Sequence, residues 1–257
     1  MLNNILFTFI VILLIQTLFA IYAISQKTDR VTDLSYGLTF VVTTIILLIY
    51  HNNLTPLAYI VTILITLWGV RLSTYLFKRI KKIKKDDRFN NIRGNILKFA
   101  SFWFFQAISI SIIMLPISII FPKDLNNKLS FISILGITIS LTGLIIEYIA
   151  DKQKFEFKSN PRNKDQFIST GLWKYSRHPN YFGEILFWIG ISLTLLSPMQ
   201  NWEYISLLSP IYIAFLLIFV TGIPTLERKN TEKFTYNPQY WEYLHRTSIL
   251  IPWWPKK

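Results

Sequence analysis

The residues best equipped for chemistry lie in one stretch, GLWKYSRHPNYFGE, from Gly171 to Glu184. Ten of its fourteen residues are polar, charged or glycine, yet it runs directly into a hydrophobic segment. Pro179 suits the first position of a helix and disfavours helical geometry at His178 before it, so a helix is expected to begin at about Pro179. From that start Asn180 and Glu184 lie four apart on one face, with Arg177 and His178 just ahead of the first turn. The free N–H groups of such a helix end attract anions, phosphates included. The competing reading of the string is a basic loop at a membrane interface.

The elements that must position these residues are apolar. The 257 residues are 52% hydrophobic and 16% charged, a balance outside that of soluble domains. Uncharged runs occur at Ile5 to Gln26, Leu34 to Arg71 (broken near His51-Asn52-Asn53), Phe99 to Pro122, Leu129 to Ile146, Ile185 to Trp202 and Tyr204 to Leu226. A hydrocarbon core needs about 20 residues per helix. Divided at the polar break, the runs predict an all-α polytopic membrane protein of about seven transmembrane helices. It is expected to be a single integral membrane domain over 1–257, with spans 1–4 in 1–128 and spans 5–7 plus a tail in 129–257. The first run has no basic segment ahead of it and reads as an anchor, not a cleaved signal.

Charge gives the expected orientation. Of the 27 Lys and Arg residues, 24 fall in the first, third and fifth loops and the tail. Only Lys123 and Lys128 fall in the opposite loops, and Arg71 lies inside a span. The positive-inside rule then puts the N-terminus outside and the C-terminus in the cytoplasm of a cell inner or plasma membrane. The net charge of +13 is thereby accounted for by topology, and no nucleic-acid motif accompanies it. With no cysteine there is no thiolate site or disulfide. There is no Gly-x-Gly fingerprint and no Walker loop, and no His/Asp/Glu set has metal-ligand spacing.

Ionisable groups at membrane depth cost about 2.5–3.5 kcal/mol on insertion scales, so those present are functional candidates. They are Asp33 in DLSYG, Arg71 in WGVRL, Glu147 and Asp151 in the fifth span, and Glu184. Glu147 and Asp151 are four apart, as are Asn180 and Glu184, and each pair can present polar groups along one helix face. Arg71 and Arg177 are natural partners for them or for phosphate oxygens. The other reading places Asp33, Arg71, Glu147 and Asp151 at headgroup level, and makes Glu184 the structural partner of an arginine. The run from Lys81 to Phe89 reads as a solvated basic loop on an anionic leaflet, with Asp86, Asp87 and Arg88 its less easily explained members. Most of the eight tryptophans suit interfacial belts. Tyr181, Tyr240 and Tyr243 accompany polar motifs and carry hydroxyls that can donate to a phosphate or a carbonyl.

In order along the chain, DLSYG, WGVRL, KDDRF, EYIADKQKFEFK, GLWKYSRHPNYFGE, GIPTLE and YWEYLHRTSILIP resemble the bacterial membrane proteins related to the C-terminal domain of steroid 5-alpha-reductases. The Arg-His-Pro core is also similar to sterol reductases and, more distantly, to isoprenylcysteine carboxyl methyltransferases. The resemblance implies a bundle whose cytoplasmic half holds NADPH and a lipophilic substrate that enters from the bilayer. It assigns the cofactor to Arg71, Asp151, Lys158, Arg177, Asn180, Tyr181, Glu184 and Tyr243, with Glu147 and His178 beside them. Reductases of this kind deliver hydride to the beta carbon of a conjugated enone and polarise its carbonyl with an acid and a tyrosine. Here the nearest candidates are Asp33 and Tyr36, and Trp68 stands where a tyrosine is expected in the third span. The implied function is an NADPH-dependent reductase of a carbon–carbon double bond in a steroid-like or isoprenoid lipid. The alternatives are an S-adenosylmethionine-dependent methyltransferase and a non-catalytic lipid-binding or scaffold protein of the same fold.

Overall fold

A computed structural model describes residues 2–83, 89–90, 92–123 and 129–256. The acids and arginine of KDDRF, Asp86, Asp87 and Arg88, lie outside the described residues, as does Lys128. Helices run over Leu2–Ser25 (α1), Thr32–Tyr50 (α2), Pro56–Ile83 (α3), Ile96–Ile113 (α4), Leu115–Ile120 (α5), Phe131–Ser159 (α6), Pro179–Thr194 (α7), Leu208–Phe215 (α8), Ile223–Lys233 (α9) and Pro238–Arg246 (α10). Among the described residues there is no strand, only an isolated bridge between Ser176 and Ser248.

Among the described residues, six helical stretches are long and apolar enough to cross a membrane: Leu2–Ser25, Thr32–Tyr50, Pro56–Lys81, Ile96–Ile113, Phe131–Ser159 and Asn201–Lys233. The chain is thus an all-helical, integral multi-pass membrane protein. The expectation of about seven spans differs at Ile185 to Trp202. Only the first part of that apolar run, to Thr194, lies in α7, a helix of 16 residues that begins at Pro179. Helix is spent on the polar Asn180–Glu184 turn at one end and lost before Ser197-Pro198 at the other. A 16-residue helix is only about 24 Å long, short of a hydrocarbon core of about 30 Å.

The chain divides into two compact units, residues 1–135 with 191–209, and residues 136–190 with 210–257. In the first, α2 and α3 meet through glycines. A Cβ on Gly37 would lie 2.6 Å from the Gly69 carbonyl oxygen, and one on Gly69 would lie 2.8 Å from that of Gly37. Gly37 belongs to DLSYG and Gly69 to WGVRL, so both segments serve helix packing by letting backbones approach. Ser73 Oγ donates to the Leu34 carbonyl (3.1 Å) along the same contact. Buried amides and hydroxyls link α1, α2 and α4: Gln16 Nε2 donates to Thr39 Oγ1 (2.7 Å), and Gln106 Nε2 donates to Gln16 Oε1 (3.1 Å) and Ser35 Oγ (3.2 Å). Such groups must be satisfied internally where water is excluded. Lys123, assigned by sequence to an outer loop, is paired with Glu203 at 2.8 Å.

In the second unit α6 and α7 cross equally closely. A Cβ on Gly143 would lie 2.6 Å from the Gly183 carbonyl oxygen, and one on Gly183 would lie 2.6 Å from the Glu147 nitrogen and 2.9 Å from its Cβ. Toward the far end Ser140 Oγ donates to the Phe187 carbonyl (3.2 Å). Gly183→Ala is therefore expected to force the helices apart, at the ~1–3 kcal/mol typical of overpacking. A lowered thermal midpoint in detergent checks this; an unchanged one would show that the crossing yields freely.

Candidate functional site

The glycine crossing sets α6 and α7 face to face with their acids inside. Glu147, Asp151 and Glu184 are 2%, 4% and 8% exposed. Asn180 Nδ2 donates to Asp151 Oδ1 at 3.2 Å, joining the two i,i+4 pairs that the sequence singled out.

Ahead of α7 the chain is fixed by its neighbours. Gly171 has φ +62°, a left-handed conformation that glycine adopts without strain, and the next residue's N–H bonds to Gln153 Oε1 on α6 (3.0 Å). A 3₁₀ turn over Gly171–Lys174 follows and buries Trp173, whose Nε1 donates to the Ala150 carbonyl (3.1 Å). The residues after it are laced to the chain's end. Arg177 N–H donates to the Ser248 carbonyl (2.8 Å), Ser176 Oγ to the Leu250 carbonyl (2.6 Å), and Trp253 N–H to the Tyr175 carbonyl (3.0 Å).

Arg177 and His178 converge on Glu227 of α9. Arg177 Nη1 lies 2.6 Å from Glu227 Oε2, and His178 Nε2 lies 2.7 Å from Oε1. Glu227 is brought there by a break in the last long helical stretch. A π-helical turn at Leu216–Val220 ends at Thr221 and Gly222, and α9 restarts with Pro224 in its first turn. A Cβ on Gly222 would lie 2.9 Å from the Tyr181 ring, so glycine is what lets the bend pass that side chain. The Tyr181 ring stacks on His178 with centroids 5.5 Å apart and planes within 5°.

Three buried polar atoms in this turn have no hydrogen-bond partner among the described residues: Arg177 Nε, His178 Nδ1 and Asn180 Oδ1. Buried polar atoms are ordinarily paired, so three within four consecutive residues make this turn the candidate for ligand contact.

Burial holds the His178 ring below the ordinary histidine value, opposed by its bond to Glu227 and reinforced by the Lys154 and Arg177 charges. Below the ordinary value of 6.5 the unfolded chain takes up a proton that the folded ring resists, so stability falls as the pH drops through that value toward the folded one. The fall in thermal midpoint on acidification is expected to be shallower in His178→Phe than in the parent; an equal slope would mean that the ring contributes nothing to the acid limb.

Tyr243 donates its hydroxyl to the Trp173 carbonyl (2.8 Å), and burial pushes its pKa up. Lys158 is exposed in the last turn of α6. Arg71 is part-buried on α3 of the first unit. Asp33, also in that unit, is paired with Arg79 at 2.8 Å. The Tyr36 ring packs against Phe40 (5.2 Å) and Trp68 (6.4 Å). Residue-by-residue reading missed Glu227. Its signal was the helix-restarting Gly222-Ile223-Pro224 immediately before it.

A family model described as "Protein of unknown function (DUF1295)" matches residues 18–247. Comparison with curated proteins and with solved structures gives no match.

Proposed function

We propose that this chain, which belongs to the DUF1295 family, is an NADPH-dependent membrane reductase. Its substrate class would be a lipid with a carbon–carbon double bond, conjugated to a carbonyl, of steroid-like or isoprenoid form. The observation that carries the reading is the convergence of α6, the turn before α7, α9 and α10 in the second unit. Residues from the separate reductase-like motifs meet there around three unpartnered polar atoms.

The residues present fit a dinucleotide. Arg177 Nε is a buried donor suited to an oxyanion, while Asn180 Oδ1 and the acids of α6 suit hydroxyl and amide groups. Arg177, His178, Asn180 and Tyr181 would hold the cofactor, with Asp151 and Glu227 fixing their side chains. When bound, NADPH supplies a hydride to an electron-poor alkene carbon. Glu227 holds the Arg177 guanidinium in one orientation, which limits the reorganisation needed on binding. Asp151 fixes which way the Asn180 amide points. The positive-inside count supports a cofactor side facing the cytoplasm, where reduced dinucleotides are available.

The test is a thermal-shift titration of detergent-purified protein with NADPH and with S-adenosylmethionine, because a ligand that binds only the folded state raises its midpoint. NADPH should give a saturable shift, and NADPH oxidation should then depend on an added enone or polyprenyl lipid. Stabilisation by S-adenosylmethionine alone would instead establish the methyltransferase reading; NADPH binding with no oxidation across the panel would leave a binding protein.

A further inference from the structure

The three unpartnered atoms differ in kind, and their kinds can be assigned from what surrounds them. Glu227 faces the Arg177 guanidinium through Oε2, so its carboxylate acts as an acceptor on both oxygens. The 2.7 Å contact between Oε1 and His178 Nε2 must then be made by a proton on Nε2. A second proton on the ring would make an imidazolium that is 2% exposed and close to the Arg177 charge, which burial opposes. His178 Nδ1 therefore carries a lone pair. The same logic orients Asn180. Its nitrogen faces the Asp151 carboxylate, since a flipped amide would set two oxygens against each other, and Oδ1 is thus a true acceptor. Arg177 Nε can only donate.

We infer that this site reads its ligand with two acceptors, His178 Nδ1 and Asn180 Oδ1, and one donor, Arg177 Nε. Phosphate oxygens can satisfy the donor but neither acceptor. A ribose diol, or the amino group of a carboxamide, can satisfy the acceptors. The Arg177–Asn180 turn is accordingly a seat for the nucleoside portion of a ligand, with one neighbouring oxyanion, and is not a phosphate cradle. Glu227 is a positioning residue, acting through the tautomer that it imposes on His178. The inference deepens the NADPH reading and rests on it for the choice of dinucleotide.

The test uses the full chain labelled with ¹⁵N-histidine. It has three histidines, His51, His178 and His245. The His178 signals are assigned by their loss in His178→Phe and, independently of how that variant folds, by their survival in the His51→Asn/His245→Asn double variant. At about pH 7.5 the free ring should show Nε2 protonated and Nδ1 bare. NADPH and ADP-ribose should shift the bare nitrogen toward its hydrogen-bonded value without protonating it, and inorganic pyrophosphate should not. Asn180→Leu should weaken ADP-ribose binding about tenfold, the loss of one buried hydrogen bond.

A proton on Nδ1 in either state would overturn the inference, as would a shift produced by pyrophosphate or a ring that no ligand moves. The two readings fail separately. NADPH binding with Nδ1 protonated would sink the inference and keep the reductase. A bare Nδ1 shifted by S-adenosylmethionine but not by NADPH would do the reverse.

Discussion

Glu227→Gln, a change of one atom, is expected to weaken NADPH binding about hundredfold while the protein remains folded. Glutamine keeps the shape but brings an NH₂ group to a place where both neighbours, Arg177 Nη1 and His178 Nε2, now direct hydrogens at acceptors. The amide oxygen can serve only one of them well. If it keeps the guanidinium, the NH₂ faces the ring, and Nε2 must become an acceptor. The ring proton then moves to Nδ1, where it meets the ligand's donor instead of receiving it. Losing one buried bond and opposing two donors costs about 2.8 kcal/mol, the equivalent of a hundredfold in affinity. Because the effect travels through the ring, adding Glu227→Gln to His178→Phe should cost far less than it does alone. Isothermal titration of the two single variants and the double variant measures this. Additive losses would mean that Glu227 acts on the ligand by a route other than His178.

The asymmetry between what the sequence revealed and what it hid follows from distance along the chain. The start of α7 was legible because Pro179 acts on its own neighbours. The pairing of α6 with α7 was half legible, since the i,i+4 spacing of Glu147 with Asp151 and of Asn180 with Glu184 puts each pair on one face. The bond between Asp151 and Asn180 then needed only the two faces to meet. Glu227 was hidden because it lies fifty residues from Arg177 and is followed by Arg228 and Lys229, a string that reads as a solvated tail. Asp33 was hidden in the opposite sense. Its partner Arg79 falls in the third loop, among the basic residues that the charge count assigns to the cytoplasmic side. The short α7 escaped a hydropathy count because apolarity continues through Leu195-Leu196 after the helix has ended.

The end of the chain offers the second large effect. Trp253 and Trp254 belong to a segment that runs beside Tyr175–Arg177 and holds it by three bonds, from Arg177 N–H to Ser248, from Ser176 Oγ to Leu250, and from Trp253 N–H to Tyr175. Ser176 Oγ in turn receives the His178 N–H at 3.1 Å, so the strap reaches the histidine through one serine. Ending the chain at Thr247 removes all three bonds and leaves every helix intact in sequence, since α10 stops at Arg246. Each such bond is worth about 1 kcal/mol net, so the turn loses about 3 kcal/mol of ordering. A ligand must then supply that ordering itself, at a cost near a hundredfold in affinity. Circular dichroism should show unchanged helix content while NADPH no longer shifts the thermal midpoint at concentrations that saturate the full chain. If the truncated chain bound NADPH as tightly as the full one, the strap would be a membrane-surface contact alone, and the order of the Arg177–His178 turn would have to come from Glu227 and the α6–α7 crossing by themselves.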